Sequence, residues 1–238
     1  MDTYSDFTHK SCFAPKRWAH KRRYLDAMRL LAFAPTDTFL DYGCGDGYLL
    51  SLVARILPRG NIVGYEPSPS MYAVARQALG GEFDIIRDFA AIRNRSFDKI
   101  ACLETMEHLP PKRLDEALRN LANILSPHGT LLISVPIEIG LSAFVKNTFR
   151  IMWGNTDNIT VRTYIRSVLG LPCNMANPAF LDGLEYIFPH TCFDYRKFEG
   201  ELGNYFSIAM RKFSPIMLLG GLLNNSVFYL CKSCCGCA

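Results

Sequence analysis

Residues 38–48 read TFLDYGCGDGY and decide the fold class of this 238-residue chain. The run Thr38-Phe-Leu-Asp-Tyr42 is short, apolar and β-prone, which is typical of a buried strand. Glycines follow at positions 43, 45 and 47, and a helical pattern begins at Tyr48. Glycine lets the backbone turn tightly and approach a ligand closely, and the next helix presents free N–H groups at its N-terminus. The stretch therefore predicts a strand, a ligand-binding loop and a helix.

Strands and helices alternate along most of the remaining chain. The predicted strands are 38–42, 61–66, 83–86, 99–103, 130–135, 206–211 and 227–231, and the predicted helices are 18–33, 48–57, 71–79, 111–125 and 195–202, with a turn at 126–129. This order predicts one α/β domain over residues 1–238, with a Rossmann-like, doubly wound and mostly parallel sheet.

Three segments depart from the alternation. Residues 1–36 form a helical lead-in, whose basic cluster between Lys16 and Arg23 is interpreted as a solvated helix face. Residues 137–190 are rich in aromatics and show no strand alternation, which favours a helical cap. The cap follows the carboxyl end of the fifth strand, where ligands bind in such sheets. Residues 232–238 form a cysteine-rich tail that lacks a second ligand pair for zinc and fits a prenylation box poorly, so we assign it no role.

The composition indicates an ordinary globular protein in a reducing compartment. The net charge of +4 is too small to indicate nucleic-acid binding on its own. Neither an apolar run of about 18 residues nor a secretory leader is evident, so we expect a cytoplasmic location. In that setting we expect Cys12, Cys44, Cys102, Cys173 and Cys192 to be reduced thiols.

The glycine loop favours an adenosyl cofactor over a nicotinamide dinucleotide. In the dinucleotide-binding fingerprint G-x-G-x-x-G, counted from Gly43, the third glycine would fall at position 48, which is a tyrosine here. Asp41 would repel a pyrophosphate but suits a cationic amino-acid group. Glu66 ends the second predicted strand, where a carboxylate can accept both hydroxyls of a ribose.

On these motifs the sequence resembles the class I S-adenosylmethionine-dependent methyltransferases. Residues 41–47 resemble the family's D-x-G-x-G-x-G motif, residues 87–90 (RDFA) its adenine-edge motif, and residues 96–100 (SFDKI) the segment that leads into strand four. Residues 125–129 (LSPHG) resemble the L-x-P-G-G turn, with His128 in place of its first glycine.

The resemblance implies a seven-stranded sheet, S-adenosylmethionine as cofactor, and a set of cofactor contacts. Asp41 would approach the methionine ammonium, Glu66 the ribose and Asp88 the adenine amino group, although Asp88 as a plain turn residue remains an alternative. The implied cofactor residues are Asp41, Gly43, Cys44, Gly45, Gly47, Glu66, Pro67, Asp88, Phe89 and Glu104.

A second motif, Glu104-Thr-Met-Glu107-His108, follows the fourth strand. It is similar to segments of ubiquinone-pathway O-methyltransferases and of small-RNA 2′-O-methyltransferases, and the RNA group also uses a later histidine, for which His190 is the candidate. One hypothesis is a divalent cation, such as Mg²⁺, held by Glu104, Glu107, His108 and His190. The other is a metal-free site in which Glu104, His108 and His190 act as base or positioning groups, with His190 as an ordinary turn residue still open.

The insert also bears on the methyl acceptor. Its segment 144–153 is apolar with Lys146 and Arg150 interspersed, and 215–223 is similarly apolar. We therefore predict O-methylation of a small-molecule, lipid or lipid-linked glycan acceptor, with peripheral membrane contact or a cap packed on the domain as the two interpretations of the insert. An RNA 2′-O-methyltransferase is disfavoured because no basic stripe is visible. A non-catalytic cofactor-binding protein is the remaining alternative.

Overall fold

A computed structural model describes residues 14–154, 159–173, 177–188, 190–216, 220–221 and 224–234. Its strands are β1 (Phe39–Tyr42), β2 (Ile62–Tyr65), β3 (Asp84–Ile86), β4 (Phe97–Leu103), β5 (Leu125–Pro136), β6 (Ala179–Leu181), β7 (Leu184–Tyr186), β8 (Phe206–Ser214) and β9 (Ser226–Ser233). Its helices are α1 (Ala14–Leu31), α2 (Tyr48–Val53), α3 (Pro69–Ala78), α4 (Pro111–Ile124), α5 (Gly140–Met152), α6 (Val161–Val168) and α7 (Tyr195–Leu202).

Seven strands form one sheet in the order β3-β2-β1-β4-β5-β9-β8. Strands β1 to β5 are parallel, whereas β9 runs antiparallel to β5 and β8 antiparallel to β9. The predicted fold class is confirmed. The carboxyl ends of β1, β2 and β4 meet at one edge, so the two motifs of the sequence lie side by side.

Apolar residues cover both faces of the sheet. On one face, Leu114, Leu118 and Leu121 of α4 pack with Phe198 and Leu202 of α7. On the other face, α1, α2 and α3 contribute the buried side chains Ala27, Leu31, Leu50, Val53 and Ala75. Helices on both faces leave β1 and the middle of β4 buried on both sides, which explains the uninterrupted apolar runs 39–40 and 100–103 in place of an alternating pattern.

The predicted turn at 126–129 is wrong, because β5 already begins at Leu125. Phe97 pairs with Leu125 and Lys99 pairs with Thr130, so β5 accommodates its extra residues in an irregularity of the ladder. Gly129 sits at this irregularity, where an added Cβ would lie 2.9 Å from the Ser126 carbonyl oxygen. The residues of the predicted turn therefore form a tight local bulge within β5, and the strand continues in the same direction after it.

The insert at 137–190 is not purely helical. It holds α5 and α6, but it also contains a hairpin in which β6 pairs antiparallel with β7. The hairpin turns at Asp182 and Gly183, whose φ values of 54° and 78° are both positive. An Asp-Gly pair with two positive φ values is the signature of a type I′ turn, which overrides the weak strand pattern on either side.

Two of the cysteines expected to be reduced are joined. Cys173 and Cys192 form a disulfide with Cα atoms 5.5 Å apart, because the hairpin brings the two ends of its own segment together. Cys44, Cys102 and Cys231 are buried free thiols, and Cys12 lies outside the described residues. The predicted tail begins inside β9, which continues to Ser233, and residues 235–238 are not described.

The apolar segment 215–223 falls largely outside the described part of the chain. Among the described helices, none combines the length and the apolarity needed to cross a bilayer.

Candidate functional site

The glycine loop between β1 and α2 is fixed to the neighbouring strand β2. The N–H groups of Gly43 and Cys44 both donate to the Tyr65 carbonyl oxygen, at 2.8 and 3.0 Å. Gly43 has φ +80°, and an added Cβ would lie 2.6 Å from Thr105 Oγ1. Only glycine fits this position, because the backbone is left-handed here and lies in close contact with the Thr105 side chain.

Glu66 joins the loop to the start of α3. Its Oε2 accepts the Gly45 N–H at 2.9 Å and its Oε1 accepts the Ser68 N–H at 3.0 Å. Burial raises the pKa of Glu66, and the two N–H groups oppose that shift. Each oxygen keeps a further lone pair, so the carboxylate is fixed in place and still able to accept ribose hydroxyls.

Asp41 is a buried carboxyl in β1, and the described residues form no ion pair with it. Burial raises its pKa to about 8, and the nearby Glu66 and Asp46 add to the shift. A buried carboxylate is stable only next to a positive charge. The pocket is therefore suited to a ligand that brings an ammonium group to Asp41.

Aromatic rings line the ends of β1, β2 and β3. The ring of Tyr65 lies 4.8 Å from that of Tyr42 and 5.7 Å from that of Phe89. Asp88 is exposed, and its Oδ1 accepts the Ala90 N–H, which caps the short turn 89–91. Pro67 is half-buried directly after Glu66. The roles of Asp88, Phe89 and Pro67 toward adenine stay predictions.

Glu104 directly follows β4 and has a left-handed conformation, with φ +52°. Its Oε1 accepts the Ser134 hydroxyl at 3.3 Å, and its Oε2 lies 3.4 Å from an Arg23 guanidinium nitrogen. A non-glycine residue at such φ costs about 1–3 kcal/mol, which is typical of functional sites. The interpretation of the basic cluster as a solvated face is wrong for Arg23, because α1 turns this side chain into the site.

Three predicted ligands come together next to the loop. The side-chain donor atoms of Glu107, His108 and His190 all lie within 4.8 Å of one another, and we call these residues the Glu107 cluster. Glu104, the fourth predicted ligand, lies outside this group and is held by Arg23 and Ser134. Within the described part of the chain, neither carboxylate oxygen of Glu107 has a hydrogen-bond partner, although the residue is 1 % exposed.

The hydrogen bonds of His108 fix its tautomer. Its Nδ1 lies 2.9 Å from the Ile187 carbonyl oxygen, so Nδ1 carries the proton and Nε2 keeps a lone pair. The Ile187 N–H donates back to the His108 carbonyl oxygen at 2.8 Å. The ring of His190 lies 4.6 Å from that of His108.

Burial keeps both imidazoles neutral near pH 7. It lowers the pKa of His108, and it lowers the pKa of His190 to about 4 together with repulsion from His108. Burial also raises the pKa of Glu107 well above its usual range, with Glu104 adding to the effect. The cluster therefore offers two neutral nitrogen acceptors beside a carboxyl that needs a partner.

The donor set of the Glu107 cluster fits a divalent cation. Glu107 has both oxygens free of hydrogen bonds, and His190 Nδ1 is likewise buried without a partner among the described residues. Two imidazoles and one carboxylate suit a transition metal better than Mg²⁺, which prefers oxygen ligands.

The β6–β7 hairpin contacts both sides of the site, and it was not predicted from the sequence. Asp182 in the hairpin turn accepts hydrogen bonds from the Ser68 hydroxyl, at 2.8 Å, and from the Ser70 hydroxyl. At the other end of the hairpin, Tyr186 lies 5.6 Å from His108, ring to ring. The hairpin thus spans the distance from the Glu66 side of the site to the Glu107 cluster. Its only sequence signal was the Asp182-Gly183 pair, and Arg23 had none.

The fold and this site define a class of protein. The sequence matches the methyltransferase domain family over residues 16–158, more than half of the chain. The chain belongs to this family, and its fold is that of the class I S-adenosylmethionine-dependent methyltransferases.

Individual relatives are more distant. The chain is 31 % identical over 117 residues to the ubiquinone biosynthesis O-methyltransferase of Xanthomonas campestris pv. campestris (strain B100). The match covers 46 % of this chain and 47 % of that protein. It spans about half the length of the curated relatives it matches. In fold it is similar to the PH0226 protein of Pyrococcus horikoshii OT3, at a TM-score of 0.59, 13 % identity and 95 % coverage of both chains. It is also similar to the N-methyltransferase NodS of Bradyrhizobium japonicum WM9 with bound S-adenosyl-L-homocysteine, at a TM-score of 0.57, 14 % identity and coverage of 98 and 99 %.

Proposed function

We propose that this protein transfers the methyl group of S-adenosylmethionine to a hydroxyl oxygen of a small-molecule, lipid or lipid-linked glycan acceptor. The observation that carries the proposal is the Glu107 cluster, which places two neutral imidazoles beside the cofactor loop. Methyl transfer from a sulfonium is an in-line displacement, so holding donor and acceptor in line supplies much of the acceleration. A hydroxyl acceptor must also lose its proton, and His108 Nε2 is placed to accept it.

The cofactor loop and the Glu107 cluster are in contact through Thr105. Thr105 packs against Gly43, and Glu107 follows two residues later. In the proposed reaction Glu66 and Asp41 fix the cofactor through its ribose and ammonium groups. The alternative is a metal-assisted reaction, in which Glu107, His108 and His190 would hold a divalent cation. His108 Nε2 would then be a ligand instead of the base, and a bound cation would lower the pKa of the acceptor hydroxyl.

The nature of the acceptor is supported by two observations. The relative named above is, by name, an O-methyltransferase of ubiquinone biosynthesis, and it matches this chain over 117 residues. The exposed surface of the insert is rich in apolar side chains, which favours an acceptor with a hydrophobic portion. The fold itself does not choose the acceptor atom, since the similar NodS structure is named an N-methyltransferase.

Radiolabelled S-adenosylmethionine tests this proposal with four acceptors: a catechol, a prenylated phenol, a primary amine and a single-stranded RNA. We expect label in the phenolic acceptors, and His108→Gln should lower kcat by about 10²–10⁴-fold, because it removes the base but keeps an amide donor for Ile187. Binding of S-adenosylhomocysteine by His108→Gln should be unchanged. The exposed His128 provides the matched control, and His128→Gln should retain full activity.

Other outcomes would point elsewhere. Label found only in the amine or only in the RNA would overturn the O-methylation of a small acceptor. No label in any acceptor, with intact S-adenosylhomocysteine binding, would favour a cofactor-binding protein without turnover. Equilibrium dialysis of chelator-treated protein against Mn²⁺ tests the cation separately, since Glu107→Gln should reduce binding and Glu116→Gln, on the exposed face of α4, should not.

A further inference from the structure

The two helices of the insert turn their apolar side chains to the solvent. Seventeen large hydrophobic side chains are exposed in the described structure, and twelve of them lie between residues 141 and 188. Scattered exposed hydrophobics are normal on a protein surface, but such a concentration in one segment marks an interaction surface.

In α6 the usual amphipathic arrangement is inverted. Val161, Ile165 and Leu169 follow each other at four-residue spacing and are 79, 50 and 65 % exposed. The side that faces the protein carries Ser167, whose side chain is fully buried and accepts a hydrogen bond from Asn147 at 3.2 Å. A helix that only covered its own domain would bury the apolar stripe and expose the polar one.

The same inversion occurs in α5. Its inward side carries Ser142, which donates to the Asn224 carbonyl oxygen at 2.7 Å, and Lys146 and Arg150, which both bind the buried Glu138. Its outward side is almost entirely apolar, and Met152 and Trp153 at its end are 72 and 67 % exposed. We call the outward residues of both helices the cap face; they are Leu141, Phe144, Phe149, Ile151, Met152, Trp153, Val161, Ile165 and Leu169.

Within the described residues of the two cap helices and their flanks, the charged side chains are basic, and Asp157 between the helices lies outside the described part of the chain. The described residues 139–154 and 159–173 contain no Asp or Glu. Lys146 and Arg150 are turned inward, whereas Arg162 is exposed and Arg166 half-exposed beside the α6 stripe. The face therefore combines a broad apolar area with cations at its border.

We propose that the cap face is a membrane-docking surface, which inserts into the headgroup and upper acyl region of an anionic bilayer. Apolar side chains on one side and cations at the border match what interfacial helices need. A second copy of the face is a poorer partner, because a two-fold contact would place the arginines of α6 near those of the partner. Lipid also requires no hydrogen bonds from a surface that offers few. The proposal does not depend on the identity of the methyl acceptor.

Vesicle co-sedimentation tests the proposal, with vesicles of phosphatidylcholine alone or mixed with phosphatidylglycerol. We expect wild-type protein to bind the anionic vesicles better, and binding to weaken as salt is added. Met152→Ser/Trp153→Ser and Ile165→Ser/Leu169→Ser should each weaken binding at least about tenfold, because each pair removes two exposed apolar side chains. Arg162→Gln should reduce binding to anionic vesicles only.

Matched controls separate docking from folding and from catalysis. Ile56 and Met210 are each 47 % exposed outside the insert, so Ile56→Ser/Met210→Ser should bind vesicles like the wild type. All variants should retain the wild-type Tm and S-adenosylhomocysteine affinity. Wild-type protein that ignores both vesicle types, or cap-face variants that bind as well as the wild type, would overturn the proposal. A wild-type dimer that Met152→Ser/Trp153→Ser converts to a monomer, without vesicle binding, would assign the face to a second copy instead.

Discussion

Replacing Gly43 by alanine tests how the cofactor loop is held against the end of β4. The residue has φ +80°, and the new Cβ would lie 2.6 Å from Oγ1 and 2.7 Å from Cγ2 of Thr105. Thr105 is itself restrained, because its hydroxyl donates to the Leu103 carbonyl oxygen at 3.2 Å. The substitution therefore adds backbone strain and a steric clash at the same place.

The two contributions can be separated within the loop. Left-handed backbone costs an L-residue about 1–2 kcal/mol, and overpacking costs about 1–3 kcal/mol more. Gly45 also has positive φ, +56°, but its nearest neighbour would be Met71 Cε at 3.8 Å. We therefore expect Gly45→Ala to lower the free energy of unfolding by the strain alone, and Gly43→Ala by about 2–5 kcal/mol.

Urea unfolding of both variants, with and without Thr105→Ala, measures these quantities. Thr105→Ala removes the two clashing atoms, so in the double variant it should recover about 1–3 kcal/mol, a coupling absent with Gly45→Ala. S-adenosylhomocysteine titration should show weaker binding for Gly43→Ala and partial recovery in the double variant. Equal destabilisation by the two alanines, or no coupling to Thr105, would refute the packing argument.

Three further predictions concern the cofactor site and the insert. Glu66→Gln should weaken S-adenosylhomocysteine binding about 10–100-fold, as measured by isothermal calorimetry. The reason is that an amide cannot accept hydrogen bonds from both Gly45 and Ser68 while it also binds the ribose. An unchanged Kd would contradict the role of Glu66 as the ribose-binding residue. The pKa of Asp41 near 8 keeps this carboxyl mostly protonated at pH 7, and an incoming ammonium group lowers that pKa. Binding should therefore release close to one proton per ligand at pH 7 and none above about pH 9. Calorimetry in buffers of different ionisation enthalpy measures the release, and Asp41→Asn should abolish it. Reduction with dithiothreitol should lower the Tm by about 6–12 °C. The Cys173–Cys192 disulfide joins residues 19 positions apart and contributes about 3 kcal/mol to the free energy of unfolding. The variant Cys173→Ser/Cys192→Ser should have the lower Tm from the start and should not respond to the reductant.

The sequence predicts those features that depend on residues close together in the chain. Strand β1, the glycines and helix α2 are consecutive, so their order alone indicates the fold and the position of the cofactor. Glu66 and the motif from Glu104 to His108 each end a parallel strand, and strand ends meet at one edge of such a sheet. This is why both motifs are adjacent in the structure as well.

The sequence does not predict which side of a helix faces the protein, nor which residues far apart in the chain are in contact. The apolar spacing of α5 and α6 predicts helices but does not say which side faces the protein, and here the polar side does. The basic run of α1 gives no hint that Arg23 reaches Glu104, 81 positions later. The disulfide depends on the hairpin, whose short strands have no pattern beyond the turn at Asp182.

The ion pairs of α1 constrain the order in which a growing chain can complete its site. Asp26 is buried, and it accepts hydrogen bonds from Lys212 at 3.1 Å and Ser214 at 2.8 Å, both on β8. A buried carboxylate without these partners is costly, so α1 is not held in its final place until β8 has been synthesised and paired. Arg23 lies one turn before Asp26 on the same helix, and its contact with Glu104 depends on that placement. The Glu104 side of the site is therefore completed only after β8 has been synthesised, although the cofactor loop is synthesised well before β8.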